Sequence, residues 1–230
     1  MKYRNIIWDW NGTILNDIPF AVAKTNQLLS KFGLKNLSHD EHRSIFTIPI
    51  QRYYELLGVD LTKVSFSELN SDFHKSYNES RHQFILQENA RETITDFHNR
   101  GFEQSVLSAL PHEFLKSDIA HFELGTLLPN FLGMQLHEGG HSKIENGKRW
   151  ILERNHNPKE VVIIGDTIHD SEVAEELGCE CILIAHGHQD EVQIISQPEA
   201  RVGHERREAE DAQQGVKGAP VSIFAPLHRL

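Results

Sequence analysis

Short unbroken apolar runs, each closed by polar residues and a turn, recur along the chain. Ile6-Ile7-Trp8 ends at Asp9, Val106-Leu107 at Ser108, and Val161-Val162-Ile163-Ile164 at Gly165-Asp166. A fourth run, Cys181-Ile182-Leu183-Ile184-Ala185, ends at His186-Gly187-His188. Runs of this length with helical stretches between them predict buried parallel strands, hence an α/β fold built on a doubly wound parallel sheet. In such a sheet the ligand sits outside the carboxyl ends of the strands, which is where the closing polar residues fall. Gly218-Ala219-Pro220-Val221-Ser222-Ile223 predicts one more short strand before the terminal Leu227 and Leu230.

About ninety residues separate the first two runs, far more than one crossover connection needs. This stretch reads helical. Pro19 suits a first turn, and Phe20, Ala23, Leu28 and Phe32 follow on one face up to Gly33. Ser38-His39-Asp40-Glu41 is a capping box opening a second helix. Amphipathic segments follow at Arg52 to Leu57 and Phe66 to Phe84, and Glu92 to Arg100 is the helix returning to the core. The pattern predicts a helical insert over residues 17–92, with residues 1–16 and 93–230 forming the core domain. Beyond Ser108, helices are predicted over Glu113 to Phe122 and Asn146 to Asn155, with Pro158 closing the second. Residues 199–217 hold almost nothing apolar and read as a solvated helix or a mobile surface segment without chemistry.

Composition narrows the function classes. The chain has 230 residues, enough for one large domain or a core with a smaller insert, and its 39 % hydrophobic and 24 % charged content is ordinary for a globular protein. Its net charge of −10 disfavours a nucleic-acid or anionic-membrane surface. Apolar runs never approach the roughly 18 residues of a membrane helix, and the N-terminus passes directly into a strand pattern, so a cytoplasmic protein is expected. The two cysteines, Cys179 and Cys181, read as core thiols in a reducing compartment. Among fifteen histidines, His137, His141, His186 and His188 come nearest to a metal pattern, but no further ligand stands at zinc spacing.

The strand ends carry the candidate chemistry. Asp9, followed by a glycine turn and the hydroxyl of Thr13, can present a carboxylate nucleophile to an open crevice and attack phosphorus. Asp166 and Asp170, four apart on a strand-to-helix turn, suit a hard cation with oxygen ligands, in a cell magnesium. Ser108 offers a donor to a phosphoryl oxygen, and either Lys143 or Lys148 could neutralise charge on nucleophile and phosphate.

In this order and context the chain resembles the haloacid dehalogenase-like hydrolases, in their phosphoglycolate-phosphatase-like branch. Asp9-Trp10-Asn11-Gly12-Thr13 resembles the family's Asp-x-Asp-Gly-Thr motif except at Asn11. Val106-Leu107-Ser108 resembles its second motif, and Gly165 to Asp170 its Gly-Asp-x-x-x-Asp motif in full. Lys143, twenty-three residues before Asp166, matches the usual place of the motif lysine, with Lys148 as runner-up. The resemblance implies a Rossmann-like core with an all-helical C1-type cap, in which Phe46 to Pro49 and Tyr53 to Gly58 lie where relatives place a substrate-facing turn. It implies a magnesium-dependent phosphatase for a small phosphorylated metabolite, with Asp9 as nucleophile. Asp9, the Asn11 carbonyl, Asp166 and Asp170 would hold the metal. Asn11, Ser108 and Lys143 would complete the catalytic set, and Thr13, Ser108, Lys143 and Arg52 would contact substrate, with Arg43 a further candidate. Relatives carry an acid–base aspartate at position 11, and an asparagine cannot exchange a proton. His169 is the alternative proton donor. The competing expectation is a catalytically weak phosphate-binding or regulatory protein; phosphonate cleavage and dehalogenation are disfavoured, because the insert suggests no Schiff-base lysine and the Asp166/Asp170 pair implies a metal. Oligomeric state is not legible.

Overall fold

The computed structural model describes residues 2–135 and 142–195, together with the backbone of 200–202 and 221–223. In chain order the strands are β1 (Asn5–Trp8), β2 (Leu15–Asn16), β3 (Ile85–Leu86), β4 (Glu103–Pro111), β5 (Asn130–Met134), β6 (Val161–Gly165), β7 (Glu180–Leu183), β8 (Ala200–Val202) and β9 (Val221–Ile223). The helices are α1 (Ile18–Lys31), α2 (His39–Ile45), α3 (Ile50–Leu56), α4 (Phe66–Ser80), α5 (Ala90–Asn99), α6 (His112–His121), α7 (Lys143–Glu153), α8 (Ile168–Leu177) and α9 (Glu191–Ile195).

Among the described residues, seven strands form one sheet in the order β5-β4-β1-β6-β7-β9-β8, and every pairing in it is parallel. β1 and β6 are buried along their whole length, which explains why they read as continuous apolar runs. Apolar side chains cover both faces. Ile6, Trp8, Phe97, Val106, Leu115 and Val162 pack on one side, and Ile7, Leu107, Trp150, Ile163, Val173 and Leu183 on the other. Each such fully buried side chain contributes about 1.5–3 kcal/mol. β1 lies between β4 and β6, in register Trp8 with Val106 and with Ile164. The residues just past these strands therefore emerge side by side at one edge.

Helices α1 to α4 lie between β2 and β3, which pair antiparallel where the chain leaves the sheet and returns to it. They form the helical cap expected of the fold, with a separate core of Leu28, Leu29, Leu37, Phe46, Tyr53, Tyr54 and Val59. Ser38 makes the expected capping box with Glu41 at the start of α2.

Several elements differ from the sequence reading. The helix expected from Asn146 starts at Lys143, because Ser142 caps it and Glu145 closes a capping box. The helix expected over Phe66 to Phe84 stops at Ser80 and ends in a 3-10 turn over Arg81–Gln83. β5, with half-buried positions at the sheet edge, carried no apolar-run signal. The segment read as solvated helix or mobile surface contains β8, held by parallel backbone pairing to β9, which needs little apolar content. Residues 203–217, His137 and His141 lie outside the described residues, as do Leu227 and Leu230. No helix among the described residues is long and apolar enough to cross a membrane.

Candidate active site

Asp9 leaves β1 with its backbone N–H donating to the Ile164 carbonyl at 2.8 Å, so the nucleophile candidate is tied to the neighbouring strand. The following turn closes by bonds from Ile14 and Leu15 N–H to the Trp10 carbonyl at 3.0 and 2.9 Å. Gly12 stands in the left-handed region at φ 77°, and a side chain there would meet the Asp166 carboxylate. Gly187 is equally constrained, since a Cβ would come within 2.2 Å of Asp166 Cβ. Two turns can thus close on Asp166 only because both positions lack a side chain. Gly187→Ala is expected to cost about 1–3 kcal/mol of stability and to disturb Asp166, as a melting curve and a magnesium titration would show.

Lys143 Nζ bridges Asp9 Oδ1 at 2.5 Å and Asp170 Oδ1 at 2.6 Å. Asp170 Oδ2 accepts from Thr167 N and Oγ1, and Asp166 accepts from Thr13 Oγ1 at 2.8 Å and His188 N at 2.6 Å. Every carboxylate oxygen of the three thus accepts a bond except Asp9 Oδ2, which has no partner among the described residues. One oxygen from each of Asp9, Asp166 and Asp170 lies within 4.8 Å of the others. Burial, reinforced by the neighbouring carboxylates, pushes Asp9 up to about 7 and Asp166 up to about 6, although Lys143 and His188 pull the other way. Burial also works against charge on Asp170, but Lys143 and Thr167 outweigh it and hold its pKa low. Crowded hard oxygens that resist ionisation together are the donor set that a divalent cation such as magnesium stabilises. Ser108 is buried within β4, which runs on to Pro111 instead of ending at this residue as the apolar run suggested, and it stands two residues past the last position paired with β1. Its oxygen accepts from Leu110 N at 3.0 Å, and its proton has no acceptor among the described residues.

A second polar chain runs from the motif into the cap. Asn11 Nδ2 donates to Asp17 Oδ2 at 2.7 Å and to the Tyr77 hydroxyl at 3.3 Å. Asp17 Oδ1 accepts from Gly12 N at 3.0 Å and pairs with His188 Nε2 at 3.2 Å. His188 Nδ1 meets His42 Nε2 at 3.1 Å, and His42 Nδ1 meets the Tyr53 hydroxyl at 2.6 Å. Burial opposes charge on both Asp17 and His188, but each stabilises the other, so the Asp17 pKa is lowered and that of His188 raised to about 9. Phe46 stacks on His188, with ring centroids 4.8 Å apart. Arg43 donates from Nε to the Gly187 carbonyl at 3.0 Å and from Nη2 to the Ala185 carbonyl, and Gln189 donates to the Phe46 carbonyl. The cap is therefore fastened to the loop that follows β7.

Residues 6–184 match the family of haloacid dehalogenase-like hydrolases. The chain belongs to that family. Its relatives include a phosphoglycolate phosphatase from Pseudomonas fluorescens, 20 % identical over 80 % of this chain and 70 % of the relative. One from Haemophilus influenzae is 22 % identical over 84 % of this chain and 90 % of its own length. Among solved structures, a predicted phosphatase from Clostridium acetobutylicum shares the fold with a TM-score of 0.72 at 15 % identity, covering 98 % of this chain and 95 % of that one.

The haloacid dehalogenase-like core brings together Asp9, Asp166, Asp170, Lys143 and Thr13, and places Ser108 in the adjoining strand β4, two residues beyond its last pair with β1. Lys143 rather than Lys148 reaches Asp9; Lys148 is exposed and pairs with Glu176. Thr13 spends its hydroxyl on Asp166. Arg52 is solvent-exposed, paired with Glu55, and is not drawn into the cluster, while Arg43 is committed to the core loop. His169 is bonded to Glu172 at 2.9 Å. Asp17, Gln87 and His42 were missed by the sequence reading, and His188 entered it only as part of a metal pattern, not as a partner of Asp17. Gln87 donates to the Gly12 carbonyl at 2.8 Å and steadies the turn after Asp9. For Asp17 one signal was available, a second acidic residue shortly after the motif whose own carboxylate is replaced by Asn11.

Proposed function

We propose that this hydrolase is a magnesium-dependent phosphatase that acts on a small phosphorylated metabolite through an aspartyl-phosphate on Asp9. The observation that carries the reading is the joint placement of a carboxylate with one unengaged oxygen, Asp9 Oδ2, beside Lys143 and two further carboxylates at adjacent strand ends. The curated relatives are phosphoglycolate phosphatases, which makes a phosphoric monoester the fitting substrate class. Asp9 Oδ2 attacks phosphorus, Lys143 offsets negative charge on Asp9 and the transferring group, and Ser108 donates its free proton to a phosphoryl oxygen. Asp9, Asp166, Asp170 and the Asn11 carbonyl would hold magnesium, which supplies positive charge opposite the phosphoryl oxygens. Asn11 cannot protonate the leaving oxygen. Substrates that expel a stable anion, such as acyl or aryl phosphates, are therefore favoured over alkyl phosphates.

The test is hydrolysis of a panel of metabolite and aryl phosphates with and without magnesium. Turnover that needs magnesium supports the reading; phosphate binding without any turnover would favour a regulatory protein, the reading that Asn11 by itself favours. Magnesium binding should also depend on pH with a definite sign. Cation binding displaces protons from Asp9 and Asp166, whose pKa values are raised to about 7 and about 6. Apparent affinity should rise as pH rises through that window and level off above it. Titration calorimetry in buffers of different ionisation enthalpy should detect proton release at the acidic end and none well above neutrality. Affinity that stays flat across the window would contradict this account of the cluster.

A further inference from the structure

The carboxylate missing from position 11 has a counterpart one hydrogen bond away. A carboxylate can only accept, so the 2.7 Å contact between Asn11 and Asp17 must carry the amide NH2 toward Asp17. The Tyr77 hydroxyl, which donates its own proton to Asp118 Oδ2 at 3.1 Å, takes a second bond from the same nitrogen. Both partners are buried, whereas Asn11 is half-buried. The remaining polar atom of the side chain is Oδ1, which accepts no hydrogen bond among the described residues. Asp17 is itself held from three sides, by Asn11, by Gly12 N and by His188, which the cap residues His42 and Phe46 support.

We propose that Asp17 is a positioning residue that locks the Asn11 amide with its carbonyl oxygen outward, so that Asn11 orients the water that hydrolyses the aspartyl-phosphate. An amide carbonyl aimed at an attacking water is an established device in phosphoryl transfer. The step balances without proton uptake by Asn11. The water oxygen bonds to phosphorus, the bond from phosphorus to the Asp9 oxygen breaks and returns its electron pair to Asp9, and the water's proton passes to the released phosphate. Asn11 accepts a hydrogen bond throughout and fixes the direction of attack. Without Asp17 only the longer 3.3 Å bond to the Tyr77 hydroxyl favours the outward carbonyl, and the amide is held more loosely.

The inference rests on the aspartyl-phosphate reading, and the experiment separates the two. The wild-type protein and the Asp17→Ala, Asn11→Ala and doubly substituted proteins are loaded with magnesium and mixed with a radiolabelled aryl phosphate. Acid quenching gives the rate of labelling of Asp9, and a chase gives the rate of its decay. Asp17→Ala should slow decay roughly tenfold or more while changing labelling by less than about threefold. Asn11→Ala should slow decay to a similar extent, and the double variant should be no slower than the worse single one. Unchanged decay in Asp17→Ala, equal losses in labelling and decay, or losses that multiply in the double variant would each overturn the proposal. Should Asp17→Ala not fold, the equally sized Asp17→Asn is read by the same criteria. If the wild-type protein itself takes no label on Asp9, the phosphatase reading fails, and this inference falls with it.

Discussion

Asp9→Asn should lower phosphatase turnover by at least about 10⁴-fold, because on the proposed mechanism it removes the nucleophile rather than a group that assists it. The side chain keeps its shape, and Lys143 keeps its 2.6 Å partner Asp170. Folding should not suffer. Burial and two neighbouring carboxylates work against charge on Asp9, raising its pKa to about 7, so a neutral amide relieves repulsion in the metal-free protein. The melting temperature without magnesium should accordingly be unchanged or higher, while turnover disappears. Steady-state assays and thermal melts on the same preparation check both halves. Near-native turnover in Asp9→Asn would sink the mechanism.

The second large effect concerns Asn11 together with Asp17. Restoring an acid at position 11 should help alkyl phosphates, which expel a basic alkoxide, by about 10² in turnover. Asn11→Asp alone will not deliver that gain. Its new carboxylate would face Asp17 Oδ2 across a contact that is now 2.7 Å, and two carboxylates so close share a proton rather than ionise independently. Asn11→Asp combined with Asp17→Asn reverses the pair, keeps an amide-to-carboxylate bond between the two positions and removes the repulsion. The double variant should exceed the single one by at least about tenfold on alkyl phosphates. Aryl-phosphate labelling of Asp9 should change less. Equal activity of the single and double variants would mean that Asp17 does not constrain position 11. Asn11-Gly12 is a sequence prone to deamidation, and an aspartate formed spontaneously there would imitate the single variant, so mass spectrometry of each sample belongs in the assay.

What the chain order alone determined is the frame and the acidic end of the site. Strands buried on both faces leave nearly continuous apolar runs, so β1, β6 and β7 stand out, and a polar residue that ends such a run must lie at the carboxyl edge. Asp9 and Asp166 were legible for that reason, and Asp170 follows in the first turn of α8; Ser108 was read as a strand end, whereas β4 continues through it to Pro111. β5 was not, because a half-buried edge strand carries little hydrophobic pattern. Lys143 and Lys148 could be told apart only by analogy, since no local feature of either says which way its side chain points. The fold decides it by starting α7 at the Ser142 cap, which puts Lys143 on the buried face against Asp9 and Asp170 and leaves Lys148 with Glu176 in solvent. The partnership of Asn11, Asp17, His188, His42 and Tyr53 was likewise decided by tertiary structure. His188 is separated from Asp17 by 171 residues and from His42 by 146, and each of these residues alone is an ordinary polar side chain. Periodicity and strand-end position record what a residue does to its own segment. A hydrogen bond between cap and core depends on how two segments pack, and only the folded chain contains that information.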